Sequence, residues 1–145
     1  VSTKPLVIVD FAHTPDGMDE VLKSFPNKEI ICVFGAGGNR DALKRPLMGE
    51  VAKKYSKHIV VTSDNPRFEE PKKIIEDILN GIDDKSNVIV IEDRKEALKK
   101  AISLANDKSV VLILGKGDER AQIIGDKKFE FSDKDEVLKI LEVRD

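Results

Sequence analysis

Ile59-Val60-Val61-Thr62-Ser63-Asp64-Asn65-Pro66-Arg67 begins as a short β-branched apolar run and ends as a polar turn. The run reads as a buried strand, and Pro66 has no N–H with which to continue a sheet ladder. Just past it stand a carboxylate (Asp64), an amide (Asn65) and a guanidinium (Arg67), with Pro66 fixing the backbone between them. Such a set can grip a ligand that carries both acidic and amino groups. Arg67 offers a planar fork that matches a carboxylate bidentately, which lysine does not. The same residues equally suit a plain strand-to-helix turn in which Asp64 caps and Arg67 is solvated. What separates the two is whether other strands end in similar clusters.

Four further apolar runs flank this one, at Leu6 to Asp10, Glu29 to Phe34, Asn87 to Ile91 and Val110 to Leu114, with the opening run itself reaching from His58 to Thr62. Helical patterns lie between them. Thr14-Pro15 suits an N-cap and first helical position, followed by Met18, Val21, Leu22 and Phe25 as an inner face. A second helix is expected from about Pro46 to Tyr55 with Leu47, Val51 and Tyr55 inward. A third opens at Pro71 and stops at Gly81. Asp93 with Glu96 has capping-box spacing ahead of Ala97, Leu98, Ala101, Ile102 and Ala105. Strands apolar on both faces and alternating with helices imply an α/β fold, a Rossmann-like, mostly parallel sheet flanked by helices. Near the end, Ala121 to Ile124 and Lys128 to Phe131 flank Gly125-Asp126 as a C-terminal antiparallel hairpin. Ser132 then caps a last helix holding Val137, Leu138 and Leu141.

The 145 residues carry a formal net charge of −2, so no global basic field points to nucleic acid. Charged residues make up 36% of the chain with both signs interspersed, as on a solvated surface. No apolar run reaches transmembrane length, so membrane insertion is not expected. Cys32 is the single cysteine and sits inside an apolar run, which suggests a buried thiol and a reducing, cytoplasmic setting. With no repeat, linker or low-complexity stretch, residues 1–145 read as one domain. Its start at Val1 suggests a piece excised from a longer polypeptide.

In a parallel sheet all strands end on one edge, where ligands bind. Asp10 to Thr14, Gly35 to Asp41, Asp64 to Arg67, Glu92 to Arg94 and Gly115 to Glu119 all fall there, whereas the opposite turns look generic. Each cluster taken alone is ambiguous. Gly35 to Arg40 lacks dinucleotide spacing, and Gly115-Lys116-Gly117 lacks the Walker pattern. Glycine in either loop still allows close backbone approach, with Arg40 available to an anion and Glu119 to an ammonium group. Asp10 suits two ribose hydroxyls, and His13 can pack on a nucleotide. No metal-ligating spacing and no nucleophile–base arrangement is readable, so neither metal nor catalytic residues are assigned.

Taken together, Asp10-Phe11-Ala12-His13-Thr14-Pro15-Asp16, Phe34-Gly35-Ala36-Gly37-Gly38-Asn39-Arg40-Asp41, Lys44-Arg45-Pro46-Leu47-Met48-Gly49 and Thr62-Ser63-Asp64-Asn65-Pro66-Arg67 resemble, in order, the C-terminal domain of Mur ligases. The nearest type is the one that adds the third residue of the peptidoglycan stem peptide. That resemblance implies an amide ligase using ATP and Mg, in which an acyl phosphate on UDP-MurNAc-L-Ala-D-Glu is attacked by meso-diaminopimelate or L-lysine. By the same resemblance Asp10 and His13 contact the nucleotide. Arg40, Asn65 and Arg67 hold the distal carboxyl end of the amino acid, beside Asp64 of the same motif, and Gly115 and Glu119 hold its ammonium end. The N-terminal and central domains of such an enzyme are not in this sequence, so the lobe alone is expected to be inactive.

Two positions depart from the family pattern. Asp118 stands where Gly-Lys-Gly-His-Glu has histidine, adding a carboxylate beside Glu119 and leaving lysine open as a substrate. Asn39 replaces a common acid next to Arg40. Outside this family, Asp10, Asp64 and Lys116 mimic the acidic pocket, acceptor and lysine of a phospho-receiver domain, though a receiver gives no reason for Asn65-Pro66-Arg67. A nucleotide-binding regulatory module is a third possibility.

Overall fold

The computed structural model describes residues 5–144. Five strands form one parallel sheet: β1 (Leu6–Asp10), β2 (Glu29–Phe34), β3 (His58–Val61), β4 (Val88–Val90) and β5 (Ser109–Leu114). Helices α1 (Pro15–Leu22), α2 (Lys44–Tyr55), α3 (Pro71–Leu79) and α4 (Arg94–Ser103) connect them in turn. A separate antiparallel pair, β6 (Ala121–Ile124) and β7 (Lys127–Glu130), precedes α5 (Asp133–Arg144).

The sheet order is β1-β5-β2-β3-β4. From β1 to β4 the chain steps always in one direction, so right-handed crossovers place α1, α2 and α3 on a single face. The step from β4 to β5 runs back across the sheet and sends α4 to the other face, where α5 joins it. Side chains of the strands divide accordingly. Ile30, Cys32, Phe34, Ile59, Val61, Leu112 and Leu114 pack with Met18, Leu22, Met48 and Ile78. Ile31, Val33, Val60, Val111 and Ile113 pack with Leu98, Ile102 and Val137. β5 lies between β1 and β2 and is buried along its whole length, as its unbroken apolar run requires. This order also differs from the 2-1-3-4-5 arrangement of receiver-type folds, which removes the structural basis for that alternative.

The expected caps form. Thr14 Oγ1 accepts from Gly17 N at 3.0 Å, and Asp93 Oδ1 accepts from Lys95 N at 3.0 Å. Ser132 Oγ accepts from Asp135 N at 3.3 Å. Cys32 is fully buried, and desolvation pushes its thiol up to about 12, so it is inert in the folded state.

α2 differs from expectation. It starts at Lys44, two residues earlier than Pro46, and its buried residues are Arg45, Met48, Gly49 and Ala52. Leu47 is 47% exposed while Arg45 is 2% exposed. Hydrophobic spacing could not find this, because the inward position is held by a cation whose partners lie in other elements. Leu138 on α5 is likewise exposed rather than inward, and the second hairpin strand begins one residue sooner, at Lys127.

Candidate functional site: a charged cleft at the C-terminal edge of the sheet

The loops that follow β1, β2, β3 and β5 enclose a cleft of about 340 Å³. Arg40, Asp64, Asn65, Arg67, Gly115 and Glu119 all line it, together with His13. Asp10 does not. Its Oδ1 instead accepts from Ala12 N at 2.8 Å, fixing the turn that presents His13. The imidazole of His13 is tilted against Phe11, with ring centroids 4.8 Å apart.

One end of the cleft is cationic. Arg67 has φ 53, a left-handed backbone that a non-glycine residue adopts only when its surroundings impose it. Such a conformation costs about 1–2 kcal/mol. Arg67 Nη1 donates to Gly38 O at 3.1 Å and Asn65 O at 3.3 Å, so the guanidinium is held across the glycine loop. That loop is fixed in return: Gly38 N donates to Asn65 O at 2.7 Å. A Cβ at residue 38 would run into the Pro66 carbonyl, so glycine is required by the close approach of the two loops. Asn39, also left-handed at φ 56, bridges the same loops. Its backbone N–H donates to Glu69 Oε1 at 2.7 Å and its side-chain Oδ1 accepts from Phe68 N at 3.1 Å. An acid in place of Asn39 would serve this latch differently. Here the residue orders the loop that carries Arg40.

Behind this wall, buried Arg45 donates to Glu69 Oε1 at 2.8 Å, Asp77 Oδ2 at 2.9 Å and Gly37 O at 3.0 Å. The Arg45 hydrogen bond holds the Glu69 carboxyl below its usual range, and Lys73, then Arg45, do the same for Asp77. Carboxylates depressed in the folded state bind protons more readily when unfolded, so this network stabilises the fold above the ordinary carboxylate values and is lost as pH falls through the depressed ones. Melting temperature is therefore expected to fall as pH is lowered from about 4.5, and an Arg45→Met chain should show a shallower acid slope from a lower starting point. Thermal melts across a pH series check this.

The opposite end is anionic. Lys116, fully buried, spends its three protons on Asn65 Oδ1 (2.9 Å), Glu119 Oε1 (3.2 Å) and Ala121 O (2.8 Å). Asn65 Nδ2 also donates to Glu119 Oε1 at 3.3 Å, so Asn65 joins the anionic end to the cationic one. Asp64 is 8% exposed and its carboxylate accepts no hydrogen bond among the described residues. Burial raises its titration above the usual value, Arg94 and Lys116 pull it back, and Glu119 and Asp133 push it up again. A mostly buried carboxylate with no donor of its own can accept hydrogen bonds from a cationic group entering the cleft. Gly115, at φ 114, leaves room for this: a Cβ there would stand 2.5 Å from Asp64 Oδ2. Asp118 is exposed and outside the lining, so the additional carboxylate does not enter the cleft.

Three positions that hold the site were not assigned to it from the sequence: Lys116, Arg94 and Gln122. Buried Arg94 forms a bidentate pair with Asp133 (2.8 and 2.7 Å) and donates to Ser63 O at 3.0 Å and Leu114 O at 3.3 Å, the carbonyls just before the two site loops. Gln122 Nε2 donates to Asp64 O at 2.8 Å. The partners of Arg94 and Gln122 lie between 20 and 58 residues away in sequence, and Lys116 reaches Asn65 across 51, so no local pattern marks these contacts.

Comparison with known proteins places this geometry in context. The chain is 55% identical over 137 residues to UDP-N-acetylmuramoyl-L-alanyl-D-glutamate–2,6-diaminopimelate ligase of Helicobacter pylori, covering 94% of this chain and 31% of that protein. It is 54% identical over 143 residues to the ligase of the same name from Aquifex aeolicus, covering 97% of this chain and 30% of that one. A solved structure of a ligase of this name superimposes with TM-score 0.92 at 38% identity, over 99% of this chain and 30% of the other. The chain thus spans about 30% of the length of the relatives it matches. Residues 1–117 match the family model of the Mur ligase, glutamate ligase domain, and to that family the chain belongs.

Proposed function

We propose that this chain is the amino-acid-binding lobe of an ATP- and Mg-dependent cytoplasmic ligase that joins meso-diaminopimelate to UDP-MurNAc-L-Ala-D-Glu in peptidoglycan synthesis. The observation that carries the proposal is the convergence on one cleft of two guanidiniums, Arg40 and Arg67, and two carboxylates, Asp64 and Glu119. Their signs and spacing suit one end of a diamino diacid. The guanidiniums receive its distal carboxylate, and Asp64 with Glu119 receive the neighbouring ammonium. The far amino group then stays free to attack an acyl phosphate, forming the C–N bond as phosphate leaves and the amine gives up a proton. L-Lysine shares the ammonium but lacks the distal carboxylate, so it engages only the anionic end.

The other substrates belong elsewhere. Among the described residues no group of three His, Cys, Asp or Glu side chains is placed to hold a metal ion. In this proposal Mg and the phosphates of ATP are held mainly by the central domain of a three-domain enzyme, and the UDP group of UDP-MurNAc-dipeptide by its N-terminal domain. Asp10 and His13 contribute only an edge of the ATP site. No helix among the described residues is long and apolar enough to cross a membrane.

Amide NMR spectra of the 145-residue chain provide the test. Titration with meso-diaminopimelate is expected to shift Arg40, Asp64, Arg67, Gly115 and Glu119, whereas L-lysine shifts only the last two with Asp64. Shifts confined to residues outside the cleft would remove the assignment. The chain alone is expected to form no amide from ATP, UDP-MurNAc-dipeptide and meso-diaminopimelate, and turnover by it would show that the chemistry resides in this lobe.

A further inference from the structure

Arg67 holds its left-handed backbone against its own preference, and the groups that enforce it come from one place. Arg67 N donates to Ile123 O at 3.1 Å, and Gly125 N donates to Arg67 O at 2.5 Å. Both backbone groups of the residue are thus taken by the β6–β7 hairpin, in a bridge between Arg67 and Ile124. The residues on the near side are tied to the same hairpin: Ile123 N donates to Asn65 Oδ1 at 2.9 Å, and Gln122 Nε2 to Asp64 O at 2.8 Å. Among the described residues no strand of the five-stranded sheet pairs with β6 or β7, so that sheet does not take over these bonds. The hairpin lies outside residues 1–117 that match the general family model, yet inside the 99% of the chain that superimposes on a 2,6-diaminopimelate ligase. The hairpin thus shapes the loop that carries Arg67.

We propose that the β6–β7 hairpin is a specificity element, which positions Arg67 for the distal carboxylate by clamping its backbone in the left-handed conformation. This rests on the reading of the cleft as a diamino-acid site. Without the clamp Arg67 relaxes to an ordinary negative φ, which rotates its side chain away from the glycine loop and off the cleft. The anionic end keeps its own supports from Lys116 Nζ to Asn65 and Glu119, so ammonium binding is retained. Loss of the hairpin accordingly affects a ligand with the second carboxylate more than one without it.

Gly125 allows a clean test. It has φ 63, and a Cβ built there meets nothing within 4 Å, so a side chain acts only through the backbone. Gly125→Val disfavours the turn, and Gly125→Asn keeps it, since asparagine tolerates positive φ. A second variant replaces residues 123–129 by Gly-Gly-Ser, keeping Gln122 and its bond to Asp64 O, and removes the hairpin even if valine is tolerated in the turn. In the intact ligase, Gly125→Val or the excision is expected to raise KM for meso-diaminopimelate roughly tenfold with kcat little changed. KM for L-lysine should stay within about twofold, and Gly125→Asn should behave as the parent. In the 145-residue chain, the Cα and Cβ chemical shifts of Arg67 should leave the left-handed range in the same two variants. A folded excision variant that keeps the parent's preference, or raises both KM values equally, overturns the role of the hairpin. A parent enzyme with no preference for meso-diaminopimelate over L-lysine instead overturns the reading of the cleft, and the hairpin's role with it.

Discussion

Replacing Arg67 by alanine in the intact ligase is expected to lower kcat/KM for meso-diaminopimelate by about 100-fold, from the loss of roughly 3 kcal/mol of charge-assisted hydrogen bonding to a desolvated carboxylate. The guanidinium already lies between Gly38 O and Asn65 O, so its orientation does not have to be found on binding. L-Lysine has no carboxylate at that end, and its kcat/KM should change less than about threefold, since uniform contacts elsewhere are untouched. The ratio of the two values therefore reports the specific interaction. Arg67→Lys should recover only part of the loss, because an ammonium group cannot form the paired bonds of the planar fork. An Arg67→Ala enzyme that retained full efficiency with meso-diaminopimelate would place the distal carboxylate somewhere else.

This expectation was legible early because the motif is local. Asp64-Asn65-Pro66-Arg67 lies within four consecutive residues after a strand, and the strand-end rule brought it to the same edge as Arg40, Gly115 and Glu119. The α/β class, the five strands and the caps at Thr14, Asp93 and Ser132 were readable for a similar reason, since period and capping are short-range signals. The insertion of β5 between β1 and β2 was not, because strand order depends on crossovers spanning the whole chain. Nor were the buried cations. Lys116 sits in a Gly-rich turn that looks solvated, and its burial depends on Asn65 and Ala121 closing over it. Arg45 faces inward on α2 while Leu47, which apolar spacing placed inward, is exposed, since spacing counts only hydrophobic side chains. Asp10 makes a contact that the strand-end reading did not include: its Oδ1 accepts from Ala12 N within its own turn.

Among these supports, the Arg94–Asp133 pair is expected to carry the largest effect on stability. Both side chains are fully buried, and the pair joins the start of α4 to the start of α5 across the ends of β3 and β5. Arg94→Met removes the cation and strands the Asp133 carboxylate, which costs about 3–5 kcal/mol. For a domain of this size the melting temperature should fall by roughly 10 °C or more. Replacing both partners, as Arg94→Met with Asp133→Leu, removes the stranded charge and should recover most of that loss, because well-packed apolar groups often match a buried ion pair. Recovery of the fold is not recovery of the site. Arg94 also donates to Ser63 O and Leu114 O, the residues that precede Asp64 and Gly115, and its charge is the largest influence lowering the Asp64 titration. In the double variant Asp64 should titrate higher, losing its negative charge over a wider acid range. The acid limb of the kcat/KM profile for meso-diaminopimelate should accordingly move to higher pH, while the melting temperature returns toward the parent. A double variant with restored stability and an unshifted profile would show that Arg94 serves the fold alone. A single variant that melts within 2–3 °C of the parent, against the roughly 10 °C expected, would show that the pair is not the buried clamp its geometry describes.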